Sequence, residues 1–143
     1  VTQWQPGMVI TAARLIDGPP TITTSAGLTP GSGFTVNDFR GYRCGKNVEL
    51  NMYLFRSGAT IPVSGTGNFT PDVAACTVPS GWRPTSGTTN GNWDDGTAEG
   101  GFVIGTDGIC TLRTTNGEAI VGEASSAGNG RNVRLHITFI LDN

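Results

Sequence analysis

Charge is scarce in this sequence. Charged residues make up 14% of its 143 positions, against about 25% in an ordinary globular chain, and lysine occurs once, at Lys46. Amphipathic helices carry charged residues along their solvated faces, so a helix-rich fold is poorly supplied. The net charge of −2 argues against nucleic acid as a partner, because displacing counterions from phosphates takes clustered Lys and Arg. Arg40, Arg43 and Lys46 come nearest to a cluster and read as one solvated hairpin. Histidine is rarer still. With His136 alone in the chain, and no Ser in a Gly-x-Ser-x-Gly setting, a triad chemistry has almost nothing to work with. The expectation is a non-enzymatic protein without a cofactor. No apolar run approaches the ~20 residues that span a bilayer, so membrane insertion is not expected. No basic-plus-apolar leader opens the sequence.

Glycine and threonine are abundant instead, with 22 and 20 residues respectively. Turn-forming glycine and β-branched threonine suit short strands joined by tight turns. A chain of this length buries roughly 70% of its unfolded surface and needs neither disulfide nor metal to fold. Cys44, Cys76 and Cys110 have no Cys-x-x-Cys spacing and no histidine partners for a metal. Each lies in or beside an apolar strand candidate. They read as buried thiols behaving as small hydrophobes, or as one disulfide with one cysteine left over. Reduced thiols fit folding in a cytoplasm.

Along the chain, residues 1–20 stand apart. Trp4, Met8, Val9, Ile10, Leu15 and Ile16 are too apolar for a free tail, and Ala12–Ile16 is the sole helix candidate, ended by Gly18-Pro19-Pro20. This segment reads as extended then helical, docking on a partner, ahead of a β-domain over 21–143. Thr21–Thr24 is a strand candidate. Val48–Leu54 alternates apolar and polar residues, the mark of a half-buried strand, and Gly45-Lys46 turns it back onto Gly41–Cys44 as a hairpin. Val73–Val78, Phe102–Ile104, Ile109–Arg113, Glu118–Val121 and Val133–Leu141 follow. Asp107-Gly108 joins Phe102–Ile104 to Ile109–Arg113. In the last of the strands, the odd-numbered residues share an apolar face, with His136 opposite. Seven or eight short strands at this spacing predict an all-β domain, a β-sandwich or jelly-roll-like barrel.

Residues 85–100 read as a long glycine-rich loop holding Trp93 among Asn92, Asp94 and Asp95. An indole in a polar loop offers a flat face for a sugar ring or a neighbouring subunit, and the flanking side chains can hydrogen-bond to hydroxyls. Close carboxylates, Glu99 included, raise Ca²⁺ as a ligand, though the spacing matches no EF-hand pattern. Tyr53, Phe55 and His136 leave more amphipathic strand surface than a solvated face needs.

Taken in order, several segments resemble bacteriophage virion proteins, the small β-sandwich head domains of tail fibres, tail tips and some capsid decorations. They are the hydrophilic hairpin Tyr42–Asn51, the corner Val78-Pro79-Ser80-Gly81-Trp82-Arg83-Pro84, the strand–turn–strand unit Phe102–Ile109 and the closing strand. The opening, Trp4–Leu15, is similar to the entry of actinobacterial-phage tail proteins. The resemblance covers roughly residues 4–16 and 42–141. It implies a non-enzymatic homotrimer assembled in the host cytoplasm and placed on the virion surface. Its partners would be its own copies, capsid or tail proteins and, in a receptor-binding member, a host-surface glycan. No fibre shaft is present in the sequence, which points to a compact decoration or tail-tip piece. A free-standing carbohydrate-binding module is the competing reading.

Overall fold

Alternating strands need a common interior, and in the computed structural model, which describes residues 21–142, they find one. Nine strands form: β1 (Thr21–Thr24), β2 (Thr29–Pro30), β3 (Phe34–Cys44), β4 (Asn47–Arg56), β5 (Asn68–Thr77), β6 (Thr88–Asp94), β7 (Glu99–Gly105), β8 (Ile109–Thr114) and β9 (Asn132–Ile140). They make one antiparallel sheet in the order β1-β3-β4-β9-β6-β7-β8-β5-β2. Its two end strands, β1 and β2, are consecutive in the chain and joined by residues 25–28 alone. A sheet whose opposite ends are held that close must curl, and a curled sheet encloses its inward side chains. The expected all-β class is therefore present as one curled sheet. The proposed docking segment, with Trp4, Met8, Val9, Ile10, Leu15 and Ile16, lies outside the described residues.

The interior follows from period two. On β4, Val48, Leu50, Met52 and Leu54 are buried. On β9 and just past it, Val133, Leu135, Ile137, Phe139 and Leu141 are buried too. Each large side chain so buried contributes about 1.5–3 kcal/mol. The β3–β4 hairpin turns at Gly45, whose φ of 62° suits glycine at the first central position of a two-residue turn. The β7–β8 turn is closed by Asp107, whose Oδ1 accepts the Ile109 N–H at 3.0 Å.

The corner after β5 packs as a cap. A Cβ on Gly41 of β3 would lie 2.9 Å from the Trp82 ring, so glycine there lets the indole lie against the strand. Arg83 is spent on the backbone: its Nε donates to the Val78 carbonyl at 2.6 Å. Arg56 ties three loop carbonyls together, donating to Ala59, Ser32 and Gly33 at 2.8, 3.0 and 3.2 Å, and its guanidinium lies 4.7 Å from the centre of the Phe34 ring.

Three expectations need correction. Residues 85–100 are not one long loop; they contain β6 and the start of β7. Glu118–Val121 is not a strand, since Ile120 makes an isolated bridge to Ile61. Cys44 is exposed, unlike the buried Cys76 and Cys110. It ends β3 on the outward parity, opposite to the buried Phe39 and Gly41.

Candidate functional site

The alternation that buries one face of β4, β9 and β6 sends the other outward. Register places Asn51, His136 and Asn92 in one row across these strands, and Tyr53, Arg134 and Asp94 in the next. The rows are knit by polar contacts. Arg134 reaches Asp94 Oδ1 at 3.2 Å, and its guanidinium carbon lies 5.2 Å from the Tyr53 ring centre. His136 Nε2 stands 3.6 Å from Glu49 Oε1, and Asn51 Nδ2 donates to the same oxygen at 3.1 Å. With Asp38 and Glu99 at its margins, this surface forms a shallow cleft of about 590 Å³.

Of the four residues expected to bind a ligand, two turn exposed side chains to this cleft, from a strand and not from a loop. Asn92 and Asp94 are exposed on β6 and line it. Trp93 is corrected. It is the inward residue of a strand, 2% exposed, with its ring centre 5.7 Å from that of Phe69 and its Nε1 donating to the Thr114 carbonyl at 3.0 Å. Burial leaves no open indole face on which a sugar could stack, and the polar handle is used inside. Asp95 is corrected as well. It is 8% exposed, and its Oδ1 accepts the N–H groups of Thr97 and Ala98 at 2.9 and 2.6 Å. That is turn construction between β6 and β7, the local side-chain-to-backbone bonding in which Asp excels. Among the described residues, no three His, Cys, Asp or Glu side chains converge in a way that could hold a metal ion.

The outward residues Arg134 and Asn51 were missed as site members. The signal was present: once the odd-numbered residues of β9 are assigned inward, Arg134 and His136 must share the outer face, and the same parity argument applies to Asn51 on β4. What the surface offers chemically is a set of fixed donors and acceptors, with one aromatic ring already covered by a guanidinium. Nothing in it pairs a nucleophile with a base.

No protein-family model matches this sequence, and no curated protein matches it.

Proposed function

We propose that this protein is a non-enzymatic structural component of a bacteriophage virion surface, working as a homotrimer in capsid decoration or at the tail. The observation that carries the reading is how the resembling segments fall on the fold. The hydrophilic hairpin is the β3–β4 turn and its flanks, and the proline corner links β5 to β6. The Asp-Gly unit is the β7–β8 turn, and the closing strand is β9. All four thus belong to one β-domain. The cleft over β4, β9 and β6 is the surface offered for subunit contact, and residues 1–20 are the segment offered for attachment to the particle.

Burial of Trp93 removes the stacking platform on which glycan recognition was to rest, and Arg134 lies over Tyr53. Both facts weigh toward a structural role and away from a free-standing carbohydrate-binding module. Light scattering at micromolar concentration is expected to give about three times the 14.9 kDa chain mass. Deletion of residues 1–18 is expected to leave a folded domain that no longer associates with parent particles. A persistent monomer, or a truncated chain that still binds particles, overturns the reading.

A further inference from the structure

Two of the three cysteines are brought together by the fold although 34 positions separate them in sequence. Cys76 of β5 and Cys110 of β8 are direct cross-strand partners. Both point inward, 1% and 0% exposed. Cys76 reaches this position because the register slips between Ala74 and Cys76, so that Ala75 and Cys76 are buried in succession. Without that slip one of the two would face solvent. The sulfurs also share a neighbour: Met52 Sδ lies 3.8 Å from the Cys76 thiol and 3.7 Å from the Cys110 thiol. Directly opposed residues of an antiparallel pair have Cα atoms roughly 4.5–5.5 Å apart, inside the roughly 4.4–6.8 Å that a disulfide spans.

We propose that Cys76 and Cys110 are an oxidation site, closed by a peroxide into an intramolecular disulfide that staples β5 to β8. The inference is independent of the proposed virion role. The chemistry balances with hydrogen peroxide as the oxidant. The Cys76 sulfur attacks one peroxide oxygen, the O–O bond breaks, and the sulfur becomes a sulfenic acid as one water leaves. The Cys110 sulfur then attacks the Cys76 sulfur, the S–O bond breaks, and a second water carries off the remaining thiol proton. Two thiols are oxidised by two electrons and one peroxide is reduced to two waters.

On its other side Cys76 pairs with Pro30 of the two-residue strand β2, and Pro30 has no N–H to donate. Cys110 sits deeper, opposite Ile104 of β7. Hydrogen bonding to Cys76, then burial, then the charge of Cys76 hold the Cys110 thiol well above its ordinary pKa.

The test uses the full chain and a Cys44→Ser variant, which removes the exposed thiol as a competitor. Each is treated with hydrogen peroxide, unfolded, alkylated and cleaved before aspartates. Alkylatable thiols in the variant are expected to fall from two to none. The fragment beginning at Asp72 and the one beginning at Asp107 should stay joined until reduced, with their combined mass lower by two hydrogens. The oxidised chain should melt at higher temperature than the reduced one. Fragments that separate without reduction, whether carrying added oxygen or intact thiols, overturn the proposal, as does a link from either cysteine to Cys44 in the unsubstituted chain. Should the variant fail to fold, the fragment map of the unsubstituted chain decides the matter alone.

Discussion

The wall formed by β3, β4 and β9 and the wall formed by β6 and β7 belong to one sheet, yet they are closed by different means. In the first, inward positions of β4 and β9 carry Val, Leu, Met, Ile and Phe in strict alternation, and the strands fill their own side of the core. In the second, several inward or close-packed positions are glycine, and neighbours fill the space. A Cβ on Gly91 would lie 2.4 Å from the Phe102 ring directly across the ladder and 2.7 Å from the His136 carbonyl oxygen. One on Gly100 would lie 1.9 Å from the Thr114 carbonyl oxygen. Glycine inside a strand marks close backbone approach. The first wall is built by adding side chains, the second by leaving them out so that Phe102 and Trp93 can occupy the volume.

Truncation damages both walls, whereas enlargement at glycine damages the second along β6 and β7 and the first only where Gly41 meets Trp82. The largest loss is expected from Trp93→Ala, about 3–5 kcal/mol for an aromatic removed from a core, with the Thr114 carbonyl deprived of its donor. Leu50→Ala in the regular wall should lose about 2–5 kcal/mol. Urea unfolding of both variants measures this, and a Trp93→Ala chain of unchanged stability would break the comparison.

Enlargement gives the intermediate effect. Gly100→Ala adds one methyl against backbone that cannot step aside, and should destabilise by about 1–3 kcal/mol. Gly65, which has nothing within 4 Å of a would-be Cβ, should accept Ala with a change within about 0.5 kcal/mol. Thermal melts of the pair read the difference, and equal losses would show that glycine is serving backbone freedom and not packing.

The smallest effect belongs to the seam where the two walls meet. β9 and β6 pair over three residues, and Arg134–Asp94 is the last of these pairs. Both side chains are about half exposed, 54% and 52%, so the ion pair contributes about 0–1 kcal/mol. A double-mutant cycle on Arg134→Ala and Asp94→Asn should return a coupling in that range that shrinks with added salt. A larger, salt-insensitive coupling would mean the seam is held by this pair and not by the buried Trp93 and Leu135 beside it.

The same contrast explains what could be read in advance. The hairpin at Gly45-Lys46, the alternation of Val48–Leu54 and the inward odd positions of Val133–Leu141 were all legible, because each strand carries its own apolar face. β6 was not. Its sequence Thr88–Asp94 shows only Trp93 as a large apolar residue, and the inward position before it is Gly91, whose missing side chain is supplied by Phe102 from another strand. Pattern reading sees only one strand at a time, so a face completed by a neighbour looks like a loop. That single misreading also displaced the candidate site, since an indole expected on a loop tip is an inward strand residue. Cys76 was hidden similarly: its partnership with Cys110 depends on a register slip that leaves no signature in composition.

One feature of the curled sheet bears on how many copies of this protein can sit side by side. β1 covers only residues 41–44 of β3, and β2 only residues 76–77 of β5, so residues 34–40 and 68–74 have no described strand along their outer edge. Uncovered strand backbone invites a second chain to add on, which is how crowded β-proteins polymerise. Both stretches are spoiled as templates. On β3 the register breaks between Val36 and Asp38, and Asp38 is held by Arg40 at 3.1 Å. On β5 it breaks between Asn68 and Val73, where Pro71 offers no N–H and Asp72 pairs with Arg113 at 3.1 Å. A kink and a charge on each open margin disfavour the addition of a further strand there, so these stretches of the sheet resist running on into filaments.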